Sequence, residues 1–196
     1  MSEVQYVDQT FVTMKINDLL YDNTIYLDCE VDRNSQVRFC RELRKLAKQE
    51  LEKPIEKRLP IKIRISSFGG WACSLMAMVS EMEYWDEKGV IIETYCDGYT
   101  ASAGSKILMA GTKGHRYITR YATCLIHQPN GGCYGTYAEM KQQIDELSKD
   151  FETIKEMFRK HTKLTEEDLE NLTKYNLDVT YRPQECIEKG IVDIIL

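Results

Sequence analysis

The chain has 196 residues, 43% of them hydrophobic and 29% charged, with a formal net charge of -5. That length and composition suit one globular domain with a proper core. The weakly acidic balance lacks the broad basic footprint of a nucleic-acid binder, and no run of 18 apolar residues offers a membrane span. The N-terminal stretch MSEVQYVDQTFVTMKIND carries acids and no apolar h-region, so no secretory signal is expected and the cytoplasm is the expected compartment. Seven cysteines (Cys29, Cys40, Cys73, Cys96, Cys124, Cys133, Cys186) form no CxxC pair. They read mostly as small apolar residues in or near the core of a reduced protein, and no spacing supports a zinc site.

In chain order, residues 24-29 read as a strand and 34-49 as an amphipathic helix, with Val37, Phe39, Cys40, Leu43 and Leu46 among basic and acidic residues. Asn34 and Ser35 are candidate caps. Residues 61-66 alternate as a strand and end in a Ser67-Phe68-Gly69-Gly70 turn. A helix over 75-85, a strand over 90-96, a helix over 102-110 and strand-like runs over 115-127 follow. Helices repeatedly following strands predict an α/β fold with crossover connections. From Thr136 to about His161, apolar residues from Met140 to Phe158 recur at spacings of three and four. This predicts one helix roughly 40 Å long, able to pack on its own domain or on a copy of itself. Thr165 and Asp168 look like a cap and its N3 acid, opening a short helix.

Three segments could carry chemistry. Asp97 to Ser105 sets Ser102 among small residues between a strand and an apolar helix. Such a turn exposes a hydroxyl beside free backbone N–H groups, which suits an oxyanion, though a serine there is also an ordinary helix cap. GxSxG is absent, since Thr100 stands two residues before the serine. His127 ends an apolar strand before Pro129 and Gly131-Gly132, where a general base would be held firmly. Of the other two histidines, His115 looks exposed in a turn and His161 looks like a helix-end cap, which leaves His127 as the best base by elimination. The Gly69-Gly70 pair permits close backbone approach, as an oxyanion donor or a plain tight turn. A carboxylate must orient the imidazole, and Asp178 is one candidate among 31 acidic residues.

Taken together and in order, Gly69-Gly70, Ala101-Ser102-Ala103-Gly104, His127-Gln128-Pro129 and Gly131-Gly132 resemble the ClpP family, the proteolytic subunit of the Clp protease (peptidase family S14). Ala110 to Gly114, Lys160-His161-Thr162 and the closing Gly190 to Asp193 fit the same pattern, so the resemblance covers about residues 20 to 196. It implies a ClpP/crotonase-like α/β fold of repeated β-β-α units, with residues 1-20 as a divergent N-terminal segment, 21-196 as the peptidase domain and about 136-161 as a protruding handle helix. It implies a Ser102 nucleophile, a His127 base and an orienting Asp178, with Gly69 and Ala103 N–H groups as oxyanion donors. Gly70, Gly131 and Gly132 would bind an extended peptide through the backbone. Neither metal nor organic cofactor is implied. The implied assembly is a heptamer or tetradecamer of identical subunits, fed with unfolded chains by an AAA+ unfoldase.

The sequence also departs from that pattern. Ser66-Ser67-Phe68 stands where the family has Asn-Ser-Pro, and Asn176-Leu177 stand where it has an acid and an arginine that link the rings. Residues 1-20, where the family has its ATPase-contacting loops, match poorly. These departures suit a divergent or phage-encoded member. Four other readings remain: a catalytically inactive ring subunit with a scaffold or regulatory role, a crotonase-like acyl-CoA enzyme, a Ser-Lys peptidase using Lys106, four residues after the serine, and a plain α/β domain with no catalysis. The His127 segment argues against needing the lysine.

Overall fold

A computed structural model describes residues 23-174 and 178-196; the expectations for residues 1-20 and for Asn176 and Leu177 lie outside them. Seven strands form one sheet. β1 (Thr24–Leu27), β2 (Ile61–Ser67), β3 (Ile92–Ala101), β4 (Arg116–Ile118) and β7 (Ile194–Ile195) lie side by side in that order, every neighbouring pair parallel. Parallel neighbours need crossovers. α1 (Arg33–Leu51) links β1 to β2, α2 (Ala72–Glu87) links β2 to β3, and α3 (Ala103–Met109) follows β3. The α/β reading therefore holds: α1 and α2 run a few residues beyond their expected ends, and α3 is one residue shorter at each end.

β3 is the organising strand. Its first half pairs with β4 through Thr94, Tyr95 and Cys96, and its second half pairs with β5 (Thr123–Ile126) through Tyr99, Thr100 and Ala101. β5 in turn pairs antiparallel with β6 (Val179–Tyr181), a strand the periodicity did not announce because it is three residues long. Ile61, Ile63 and Ile65 alternate inward from β2 and meet Leu43 of α1, Met78 and Met82 of α2, and Ile107, Leu108 and Met109 of α3 in one core. Each such side chain gains roughly 1.5–3 kcal/mol on burial. The α1 cap is Asp32 rather than Asn34 or Ser35: its carboxylate accepts from Ser35 N, and Ser35 Oγ returns the bond to Asp32 N as the N3 partner. Cys40, Cys96, Cys124 and Cys186 are buried, while Cys29, Cys73 and Cys133 are exposed.

The predicted long helix is α4 (Tyr137–His161), capped by Thr136 with Glu139 as its reciprocal partner. Its first buried residue is Ile154, while Ile144 and Leu147 remain 54% and 40% exposed. Among the described residues the helix thus docks by its C-terminal end alone. His161 is not a cap; it is buried, with Nε2 at 2.7 Å from Glu83 of α2. Burial drives the His161 pKa down, against the pull of Glu83. His115, expected to be exposed, is only partly so, with Nδ1 3.5 Å from Glu93. Buried Arg116 donates to the carbonyls of Met109 and His161 and pairs with Asp193 at 2.6 Å, tying this end of α4 to α3 and the last strand. α5 (Glu166–Lys174) and α6 (Pro183–Glu188) complete the chain.

Candidate active site

Ser102 stands where β3 becomes α3. Its φ of 54° and ψ of -119° lie where side-chain-bearing residues rarely go, a conformation worth roughly 1–3 kcal/mol of strain held by its surroundings. Its N–H donates to Leu125 O on β5 at 3.0 Å. It occupies the cap position of α3, yet its side chain makes no cap hydrogen bond, so the ordinary capping role fails.

Gly69 is packed against this turn. A Cβ built there lies 2.5 Å from Ser102 Cβ and 2.9 Å from both Ala101 O and Ala103 N, and its φ is +101°. Only glycine lets the two backbones meet this closely. The glycine turn is pinned from behind by Val31: Val31 N donates to Gly69 O at 2.8 Å, and Trp71 N donates to Val31 O at 2.7 Å. Gly70, at φ +151°, has the Val31 backbone where a Cβ would be. Gly69 N–H donates to Ser67 Oγ at 3.2 Å, and Ser67 Oγ donates to Cys29 O. Phe68, which replaces the expected proline, is 82% exposed with its ring 5.0 Å from Tyr99.

His127 is the residue after β5 and is half-buried. In the parallel pairing of β3 with β5, Ala101 is opposite Leu125, so Ser102 reaches the same end of the sheet. In the antiparallel pairing of β5 with β6, Ile126 is opposite Val179. One step further along that register sets His127 against Asp178, and directly opposed residues have Cβ atoms roughly 4.5–5.5 Å apart. Asp178 is exposed. Among the described residues no hydrogen bond joins the Ser102 hydroxyl, the His127 ring and the Asp178 carboxylate. The three are brought to one end of the sheet in an open arrangement. Gly131 and Gly132 lie beyond His127 in an exposed segment without regular structure, Gly131 facing Leu147 of α4.

Sequence reasoning set Lys106 aside, and the structure gives it a place. It is 4% exposed, its Nζ donates to Ser102 O at 3.2 Å, and it lies 5.4 Å from the centre of the Phe158 ring. Burial pushes its pKa down to about 8, with Cys124 opposing. The signal was legible: Ala103 to Met109 holds a single charged residue in an otherwise small and apolar run. Among the described residues, no cluster of three or more His, Cys, Asp or Glu side chains could hold a metal, and no helix is long and apolar enough to cross a membrane.

Residues 8–196 match the profile of the Clp protease family. The chain is 34% identical over 180 residues to the ATP-dependent Clp protease proteolytic subunit 2 of Mycolicibacterium paratuberculosis, covering 91% of this chain and 84% of that protein. It is 33% identical over 179 residues to the proteolytic subunit 1 of Mycobacterium leprae, with the same coverage. Against the proteolytic subunit 2 of Bifidobacterium longum it is 31% identical over 177 residues, covering 90% and 80%.

Proposed function

Since the chain belongs to the Clp protease family, we propose that it is a cytoplasmic serine endopeptidase cutting unfolded proteins or peptides through a Ser102–His127–Asp178 triad. His127 takes the Ser102 proton as Oγ attacks the scissile carbonyl, and the carbonyl oxygen becomes an oxyanion. The Gly69 and Ala103 N–H groups receive it, Gly69 exchanging its 3.2 Å bond to Ser67 Oγ for the stronger charged acceptor. His127 then protonates the leaving amine, and water enters by the same base to release the acyl group. Asp178 orients the imidazole. Gly70 and the segment at Gly131-Gly132 pair with the extended substrate through the backbone. The fold is of the crotonase-like kind, and identical subunits assemble into a heptameric ring or a pair of rings served by an AAA+ unfoldase.

The observation that carries this reading is the strained Ser102 with the Gly69 backbone packed against it, at the end of the sheet where register opposes His127 and Asp178. Purified protein is expected to react with a fluorophosphonate probe, and Ser102→Ala to lose the reaction, on a particle whose native mass is seven or fourteen subunits. The open triad favours one other reading, an inactive ring subunit with a scaffold role. An assembled ring that does not label would choose it, and neither label nor ring would sink both.

A further inference from the structure

Among the described residues, Lys106 is a cation in the core without a carboxylate partner. All seven residues of α3 are buried, and among the described residues no carboxylate pairs with the Lys106 ammonium. The charged and titratable groups that face it are few. Cys124 comes from β5, backed by Cys186 of α6; α4 contributes only the Phe158 ring; and on α3 itself Ser105 Oγ is committed to the carbonyls of Thr100 and Leu125. A methionine or leucine would fill this volume without the penalty of burying a charge. Packing therefore gives no reason for a lysine here.

Its one hydrogen bond does. Nζ donates to Ser102 O at 3.2 Å, and the Lys106 backbone N–H donates to the same oxygen at 3.3 Å. That carbonyl and the Ala103 N–H belong to one peptide unit, which is planar, so whatever fixes the oxygen fixes the N–H on the other side. Donation to the oxygen also polarises the unit and strengthens the N–H as a donor. Ser102 lies in a strained region, so the orientation of this plane is not one the backbone would keep unaided.

We propose that Lys106 is a positioning residue: it locks and polarises the Ser102–Ala103 peptide so that the Ala103 N–H meets the oxyanion as a strong, fixed donor. The proposal rests on the serine-peptidase reading and deepens it. It is distinct from a Ser-Lys pair, because Nζ is bonded to the Ser102 carbonyl and not to its hydroxyl.

The test compares assembled wild type with Lys106→Met on a fluorogenic peptide and on a peptide boronate, which forms a tetrahedral adduct at the nucleophile. Losing an oxyanion donor outright lowers kcat by about 10²–10³-fold; weakening one is expected to lower it about tenfold with KM within about twofold. Boronate affinity is expected to fall by the same factor, because only the tetrahedral state uses the donor. The wild-type labelling rate is expected to fall severalfold as pH rises through about 8, where Lys106 loses its proton. Lys106→Met should lack that limb. If Lys106→Met retains wild-type kcat and boronate affinity, the proposal is overturned while the peptidase reading stands. If the variant does not assemble, a flat wild-type profile from pH 7 to about 9.5 overturns it and a fall supports it. A wild type that neither labels nor cuts peptide overturns both readings together.

Discussion

Ser102 directly follows a ten-residue strand bonded on both sides, whereas His127 follows a strand of four residues and Asp178 precedes one of three. On the first side, Val31 pins the glycine turn, Gly69 fills the space against Ser102, and Lys106 holds its carbonyl from below. On the second, the segment from His127 to Thr136 is without regular structure, and neither His127 nor Asp178 has a hydrogen bond among the described residues. The geometry around Ser102 is thus set within this chain. On the proposed function, the base and its carboxylate tighten only when substrate or a neighbouring subunit covers this end of the sheet, as catalytic hydrogen bonds often do.

The comparison breaks most visibly at Gly69. Gly69→Ala puts a methyl group into Ser102 Cβ at a φ no alanine favours, and is expected to lower peptidase activity by at least about 10⁴-fold, close to loss of the nucleophile itself. Thermal unfolding should show a loss of roughly 2–4 kcal/mol as well, from strain and overlap. A Gly69→Ala protein with normal activity would mean that the turn is not pre-built.

Asp178→Asn should separate activity from stability. A triad aspartate changed to asparagine lowers kcat by about 10³–10⁴-fold. Because Asp178 is exposed and unbonded here, the melting temperature is expected to stay within about 2 °C, as for a surface substitution. A large fall in melting temperature would show that the β5–β6 side is anchored as firmly as the other.

The smallest effect sharpens the nucleophile side. Folded Lys106 titrates at about 8 against an ordinary 10.5. Between those values the unfolded chain binds more protons than the folded one, so stability rises with pH across that window. Wild type is therefore expected to gain up to about 3 kcal/mol relative to Lys106→Met between pH 8 and 10.5, read by denaturant titration at each pH. A constant difference would remove the buried cation from the account.

Much of this was readable beforehand, for reasons local to the chain. Ile61, Ile63 and Ile65 alternate because one face of a strand is buried, and α4 repeats its apolar residues because a helix turns every 3.6 residues. Strands β6 and β7 were not readable, since two or three residues make no period. The sequence sets the α1 cap two or three residues late because Asn34 and Ser35 are as good capping residues as Asp32, and only backbone geometry separates them. His161 was misjudged because its partner, Glu83, lies 78 positions away. For the candidate site, Ser102 and His127 stood out by their small or apolar neighbours. Asp178 was one acid among many until a family resemblance singled it out, and the β5–β6 register now gives it a physical place.

What the sequence determined by itself was the order of strands and helices, the length of α4 and the small-residue turns at Gly69 and Ser102, all properties of neighbours along the chain. What only the tertiary structure decided was the meeting of Gly69 with Ser102, the opposition of His127 and Asp178, and the burial of Lys106 beneath the Ser102–Ala103 peptide. Each joins segments through sheet register or close packing, and these are set by the summed burial of the whole core rather than by any local run of residues.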